Sequence, residues 1–201
     1  MRISVKHLVG VAFGLLVAIM TSPVALGQAE HVRWDIINLA FTAPPTVTAG
    51  GVAFATARNP STLKIKLTGS GTFVAPASGG PSSAVTTGDA TWETFSGCPA
   101  ACVSTGKGTY WVTRLVSWQF DKLQLAILND LIAPDAANGN AVLLIQYSDG
   151  SQGILGIGCH GPGARAGIVE GVIASKGFVT YWDAAAPVDG VNENRTSFHI
   201  E

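Results

Sequence analysis

The stretch NAVLLIQYSDGSQGILGIG, residues 140–158, predicts two antiparallel strands joined by a tight turn. Asp149–Gly150 is a strong short hairpin signal, because glycine accepts the left-handed backbone conformation that such turns require. Residues 141–145 are apolar at every position, which is typical of a strand covered on both faces. The stretch therefore favours a β-sheet protein with a central strand just before this hairpin.

Alternation elsewhere along the chain indicates further strands. In Leu63–Thr68 apolar and polar residues alternate strictly, as they do in a strand with one buried face. The remaining predicted strands are Trp34–Phe41, Gly51–Ala57, Thr91–Phe95, Thr109–Phe120, Gly153–Gly158, Ile168–Ser175, Phe178–Trp182 and Thr196–Ile200. We therefore predict an all-β protein, a single antiparallel β-barrel or sandwich of about 9–10 strands with at most one or two short helices.

A weak internal repeat sharpens this prediction. Residues 69–73, 88–92 and 106–110 share the form Gly-x-small-Thr-aromatic. Glycine within a strand permits a bend or a close backbone approach, and threonine and aromatic residues favour a pleated surface. Three such units in succession predict a β-meander of curved strands. A glycine-rich phosphate loop is the alternative, but no helix follows any unit to supply its N-terminus.

One segment has a helical rhythm instead. In Lys122–Ile132 the residues Leu123, Ala126, Ile127 and Leu131 would share one stripe of a helix, and Asp121 precedes them as a cap. We therefore predict a short helix there.

The first residues predict a secretory signal peptide. Arg2 and Lys6 flank the start, an apolar run follows from Leu8 to Met20, and Ala25 and Gly27 supply small residues for cleavage. The run is too short for a membrane-spanning helix. We expect residues 1–27 to be removed and residues 28–201 to form a single β-domain that is secreted, in a periplasmic or extracellular location.

Composition excludes several functions. The formal net charge is −1 and the basic residues are scattered, so we expect no nucleic-acid partner. Beyond residue 27 no apolar run is long enough to predict an integral membrane segment. No P-loop, H-E-x-x-H motif or Ser–His–Asp order is present, and no cofactor is predicted.

The three cysteines lie at Cys98, Cys102 and Cys159. In an exported protein, Cys98 and Cys102 can form a disulfide across a loop between two strands, which leaves Cys159 as a buried side chain or a free reactive thiol. A zinc site of all three with His160 is an alternative, but Cys159 and His160 are adjacent, which does not fit the usual ligand spacing. No metal site is predicted.

Two charged residues stand in otherwise apolar strand faces. Arg114 shares a face with Tyr110, Val112, Val116, Trp118 and Phe120, and Glu170 shares one with Ile168, Val172 and Ala174. A buried charge needs a partner or a cavity. Arg114 and Glu170 either pair with each other, are turned outward by bulges, or anchor a ligand in an aromatic-lined interior. The predicted ligand-binding residues are Arg114, Glu170, Trp118 and Tyr110.

Four segments resemble a group of secreted bacterial proteins without an assigned function: LTGSGTF, GTYWVTRLVSW, GILGIGCHGPGA and KGFVTYW. The Gly-Thr-aromatic rhythm is also similar to small up-and-down ligand barrels such as avidins. These resemblances imply a secreted β-domain and transfer no functional residue.

Three functions remain open for this chain. The first is a binding module for a small apolar or sugar-like ligand. The second is a barrel enzyme that uses Arg114, Glu170, Glu93 or Cys159. The third is an envelope-associated structural protein with a filled core. The sequence predicts neither an oligomeric state nor the identity of a ligand.

Overall fold

The computed structural model of the protein describes residues 30–75 and 84–201. The predicted signal peptide, residues 1–27, lies outside this part of the chain. The described residues form β-strands and no α-helix. The strands are β1 (Glu30–Ala40), β2 (Thr46–Ala49), β3 (Ala53–Thr56), β4 (Lys64–Ala75), β5 (Ala84–Ser96), β6 (Val103–Leu123), β7 (Asn129–Asp130), β8 (Ala136–Tyr147), β9 (Gln152–Cys159), β10 (Gly171–Lys176), β11 (Val179–Tyr181), β12 (Asp183–Ala184) and β13 (Thr196–Ile200).

Six strands close a barrel in the order β1, β4, β5, β6, β8, β13 and back to β1, and every neighbouring pair is antiparallel. Strand β13 completes the ring, because one of its edges pairs with β1 and the other pairs with Ala136 and Ala137 of β8. The all-β antiparallel prediction is therefore confirmed, and the architecture is a barrel rather than a sandwich.

The other strands extend this barrel. Strand β8 continues beyond β13 and pairs with β9, which leads to β10 and β11. Strand β3 pairs with β4 and β12 pairs with β3, while β2 pairs with β1 and the two-residue β7 pairs with β2 in parallel. Strands of two to four residues such as β2, β7 and β12 are too short for hydrophobic periodicity to reveal, so the sequence prediction missed them.

The predicted meander is strands β4, β5 and β6, which pair in succession. The aromatic residue of each repeat, Phe73, Trp92 and Tyr110, is buried in one core. Gly69 has φ +140°, and a Cβ there would lie 2.9 Å from the Ala90 Cβ. Because glycine lacks that Cβ, β4 can bend and pass close to β5 with a shift in register.

Bulges along β6 change which side chains face inward. The register with β8 shifts between Val112 and Arg114, and shifts again twice further along the strand. The buried residues of this strand are therefore Tyr110, Val112, Leu115 and Trp118, at spacings of two and then three residues. Arg114 is exposed, as are Val116 and Phe120, which the sequence analysis placed on the inner face.

Aromatic side chains fill the barrel interior. The Trp118 ring lies 5.4 Å from Phe73 and 4.6 Å from Phe198, measured between ring centroids. Trp34 and Leu143 are fully buried beside them in the same cluster. The Trp118 indole N–H donates to the Glu30 carboxylate at 2.8 Å, so its polar atom is satisfied.

The predicted helix at Lys122–Ile132 is wrong, because this segment is extended. Its backbone N–H groups bond to other segments: Gln124 to Ala136, Leu125 to Pro162 and Leu131 to Val47. These long-range hydrogen bonds replace the bonds within a helix, and the stripe of apolar residues that suggested a helix is exposed at Leu123, Ala126, Ile127 and Leu131.

The hairpin prediction is confirmed. Strands β8 and β9 are joined by a turn in which Gly150 has φ +88°, and Asp149 accepts hydrogen bonds from the N–H and hydroxyl of Ser151. Gly158 serves a different purpose in β9. A Cβ there would lie only 2.0 Å from the Val169 carbonyl oxygen. The absence of a side chain at Gly158 therefore lets the segment before β10 pack closely against β9.

Cys98 and Cys102 lie at disulfide-bonding distance, with their Cα atoms 4.4 Å apart, in the loop between β5 and β6. Cys159 is free and fully buried at the end of β9. Both placements agree with the predictions made for the cysteines.

Candidate functional site

A pocket of about 320 Å³ lies on the outside of the barrel wall. One wall is the outer face of β1, since Ile37 and Leu39 point away from the core face that carries Trp34 and Ile36. The extended segment that was predicted as a helix forms the opposite wall through Leu128. The loops after β9 and before β13 complete the pocket. Its aliphatic lining is Ile37, Leu39, Val47, Leu128, Pro162 and Pro187.

Glu170 supplies the central polar group of this pocket. It directly precedes β10, and its carboxylate accepts hydrogen bonds from the backbone N–H of His160 and, at 2.6 Å, from that of Thr196. The Thr196 hydroxyl is a third contact at 3.3 Å. One side chain thereby joins the end of β9, the start of β10 and the start of β13.

The environment of Glu170 changes its acidity. Burial raises the pKa of this carboxyl to about 7, although the hydrogen bonds from His160 and Thr196 act in the opposite direction. Within the described residues no lysine, arginine or histidine side chain is within ion-pair distance of it. Near neutral pH both the charged and the neutral form of the Glu170 carboxyl are therefore populated.

His160 lies beside Glu170 with one ring nitrogen engaged. Its Nδ1 is 2.8 Å from the Ile168 carbonyl oxygen, so in the neutral ring Nδ1 carries the hydrogen and donates it. Nε2 is then an acceptor. The ring lines the pocket and is exposed to solvent, where a bound molecule can reach it.

A buried acid–histidine pair borders the same pocket. Asp130 lines it, and its Oδ2 lies 3.0 Å from Nε2 of His199. His199 is fully buried and its Nδ1 has no hydrogen-bond partner. Burial opposes ionisation of Asp130, but the hydrogen bonds from His199 and from the Ile132 N–H prevail and lower its pKa.

Gln124, Arg195 and Ser197 complete the polar border. One guanidinium nitrogen of Arg195 donates to the Val188 carbonyl at 3.4 Å and lies 3.9 Å from the Asp189 carboxylate, while its buried Nε has no hydrogen-bond partner. The Ser197 hydroxyl makes only a long bond of 3.4 Å to the Phe198 carbonyl.

The structure does not bring the four predicted ligand-binding residues together. Tyr110 and Trp118 are part of the barrel core, Arg114 is exposed on the outer surface, and of the four only Glu170 lines this pocket. Arg114 and Glu170 make no ion pair. The reason is local: a bulge turns Arg114 outward, and Glu170 lies before β10 rather than within it.

Asp130, Arg195 and Ser197 were not among the predicted site residues, and His160 was considered as a zinc ligand. Asp130 was hidden in a segment with a helical rhythm. A sequence signal for Ser197 was present in β13, where strand alternation puts Ser197 and His199 on the face opposite to that of the core residue Phe198.

Cys159 does not have the surroundings of a nucleophile. Its thiol is fully buried, donates to the Thr196 carbonyl at 3.3 Å and accepts from the Gln124 amide at 3.2 Å. Burial raises the pKa of this thiol well above its usual range. The attacking species would be the thiolate, which this environment disfavours.

The Cys159 thiol should therefore be unreactive in the folded protein. We expect a thiol reagent such as dithionitrobenzoate to label no cysteine under native conditions and one cysteine per chain in denaturant, with the disulfide intact. Labelling of the native protein as fast as that of the denatured protein would contradict the buried position.

Three or more histidine, cysteine, aspartate or glutamate side chains placed to hold a metal ion are not found within residues 30–75 and 84–201. The same residues contain no helix with the length and hydrophobicity needed to cross a membrane. Comparison with protein-family models, curated proteins and solved structures found no match.

Proposed function

We propose that this protein is exported from the cytoplasm and binds a small, mainly apolar molecule in the pocket at Glu170. The observation that carries the proposal is the combination of a cavity of about 320 Å³, mostly aliphatic walls, and one carboxyl group for which the described residues provide no ionic partner. Cavities of roughly 300–1,000 Å³ with apolar walls and a few polar groups are typical of small-molecule sites.

The filled barrel interior supports an external site. A ligand inside the barrel would have to displace packed rings such as Phe73, Trp118 and Phe198, whereas the pocket at Glu170 is open to solvent without any displacement. The predicted role of Trp118 and Tyr110 in ligand binding is thus less favoured than that of Glu170.

Export is supported by two independent features. The sequence of residues 1–27 has the three parts of a signal peptide. Cys98 and Cys102 lie at disulfide-bonding distance, and disulfides persist mainly in oxidising compartments outside the cytoplasm.

The test fills the pocket with an indole ring. Leu39 lines the pocket and is partly exposed, so Leu39→Trp should occupy the cavity without disturbing the core. We expect wild-type protein to bind neutral fragments such as cyclohexanol in ligand-detected NMR, and Leu39→Trp to bind them at least about tenfold more weakly.

Val103→Trp is the matched control, since Val103 is exposed at the start of β6 and does not line the pocket. It should bind the fragments as the wild type does. If no ring-sized fragment, neutral or charged, binds the wild type at millimolar concentration, or if both tryptophan variants behave alike, the pocket is not the binding site.

A second candidate is an acid–base enzyme at the same pocket. It is favoured by one observation: Glu170, with a pKa of about 7, lies next to His160, whose Nε2 is left as an acceptor. A group that is half protonated near neutral pH can give or take a proton efficiently. The third possibility, an envelope-associated structural protein, is favoured by the filled barrel interior but gives no role to the pocket.

A further inference from the structure

From the charges around the pocket we infer that its ligand is a small aliphatic or alicyclic amine, whose ammonium group pairs with the Glu170 carboxylate. The inference rests on the proposal that the pocket binds a small molecule, and it adds the chemical class of that molecule.

Glu170 differs from the other charged groups that border the pocket. Asp130 is bonded to His199, and one guanidinium nitrogen of Arg195 contacts the Val188 carbonyl and lies 3.9 Å from the Asp189 carboxylate, while the buried Nε of Arg195 has no hydrogen-bond partner. The hydrogen-bond donors of Glu170 are two backbone N–H groups and a hydroxyl, all of them neutral. Glu170 thus has no direct ionic partner among the described residues when it is ionised.

A cationic ligand removes the cost of that charge. An ionised carboxylate in mainly apolar surroundings is unfavourable without a partner of opposite charge, and this is why burial raises the pKa of Glu170. An ammonium group placed at its oxygens supplies both the opposite charge and hydrogen-bond donors. The described donors to Glu170 are one on Oε2 and two on Oε1, and a carboxylate has about four acceptor sites, so an ammonium group can still bond to it.

The other titratable groups near Glu170 do not reverse this preference. His160 faces it from the loop after β9, Arg195 from the residue before β13, Asp130 from β7, and the neutral Cys159 thiol from the end of β9. Arg195 lowers the pKa of Glu170 through space, and one of its guanidinium nitrogens is engaged by Val188 and Asp189. An anionic ligand would meet two carboxylates, Glu170 and Asp130, against the one guanidinium of Arg195.

The shape of the lining favours a molecule with one polar end. One side of the pocket carries the polar groups, and the aliphatic part of its wall comes mainly from Ile37, Leu39, Val47 and Leu128. A compact hydrocarbon body fits there, with its head group at the carboxylate. The modest cavity volume restricts the body to a few carbon atoms or one ring.

Three probes of nearly equal shape separate the alternatives: cyclohexylamine, cyclohexanol and cyclohexanecarboxylate. Affinity for each is measured by calorimetry or NMR titration at about pH 8, where an alkylamine is cationic as a lysine side chain is. We expect the amine to bind at least about tenfold more tightly than the alcohol, and the carboxylate to bind most weakly.

Glu170→Gln keeps the shape of the side chain and removes its charge. It should abolish the advantage of the amine over cyclohexanol. Because the Gln amide has one acceptor oxygen and its NH2 group cannot accept, the variant loses one of the two backbone hydrogen bonds, and its folding is verified by circular dichroism. Leu39→Trp should weaken all of the probes that bind.

A pH series on the wild-type protein tests the same point without any substitution. Protonation of Glu170 competes with the ammonium group, so amine affinity should fall as the pH decreases from about 8 to below the Glu170 pKa of about 7. Affinity for cyclohexanol should change little over this range.

The outcomes distinguish the two proposals. If cyclohexanol binds and the amine has no advantage, the amine inference is overturned while small-molecule binding in the pocket stands. If the carboxylate binds most tightly, Arg195 rather than Glu170 selects the ligand and the inference is wrong. If none of the three probes binds, both proposals fail.

Discussion

Trp118→Ala is expected to lower the free energy of unfolding by about 3–5 kcal/mol, which is typical of removing a large aromatic side chain from a well-packed core. The ring contacts Phe73 and Phe198 in the barrel core, and its N–H is the hydrogen-bond donor to the Glu30 carboxylate. The variant therefore leaves both a cavity and an unpaired acceptor. Urea unfolding followed by circular dichroism measures the loss.

Trp111→Ala is the matched control, because Trp111 is on the same strand, β6, but is 45% exposed. This substitution should change the free energy of unfolding by no more than about 0.5 kcal/mol, as most surface substitutions do. Equal losses for the two tryptophans would mean that the bulges of β6 do not set which residues face inward as described.

The second large effect is a pH dependence of stability that comes from Glu170. Its pKa in the folded protein, about 7, is above the usual 4.5, so the folded state holds this proton more tightly than the unfolded state. The contribution to stability is complete below about pH 4.5 and is lost as the pH rises through 7. From the two pKa values the change is about 3 kcal/mol.

Glu170→Gln should remove this contribution, so the difference in unfolding free energy between the wild type and the variant is measured from about pH 4 to about pH 8. We expect the wild type to lose about 3 kcal/mol relative to the variant over that range. The comparison uses the change with pH, so any constant cost of the substitution cancels.

Glu93→Gln is the control, because the pKa of Glu93 is shifted in the opposite direction to that of Glu170. A hydrogen bond from Lys66 lowers the pKa of the Glu93 carboxyl, so its contribution is present above the usual pKa and is lost only as the pH falls. Its curve should run parallel to that of the wild type between about pH 5 and 8. Parallel curves for Glu170→Gln as well would mean that Glu170 titrates normally in the folded protein.

Much of the barrel was predictable because its signals are local. The Asp149–Gly150 hairpin, the three repeats of the β4–β6 meander and the Cys98–Cys102 pair each depend on residues close together in the chain. In these places turn chemistry, strand propensity and loop length all favour the same structure.

The predictions that were wrong or missing depend on features that are not local in the sequence. Bulges in β6 break the period of two, so Arg114 was assigned to the wrong face although its strand was predicted correctly. The segment around Leu128 was called a helix because its backbone partners, such as Pro162 and Val47, are far away in sequence. The pocket could not be predicted from periodicity, since Glu170, Asp130 and Arg195 come from three separate loops and short strands.

The ring of the barrel closes only when β13 pairs with both β1 and β8. During folding the meander β4–β6 can form early from contacts that are near in sequence, whereas the β1–β13 pair joins segments that are far apart in the chain. Until then β1 and β8 expose unpaired backbone edges, which are templates for association with other chains. The slowest and most aggregation-sensitive step in making this protein should thus be the docking of five residues, Thr196–Ile200.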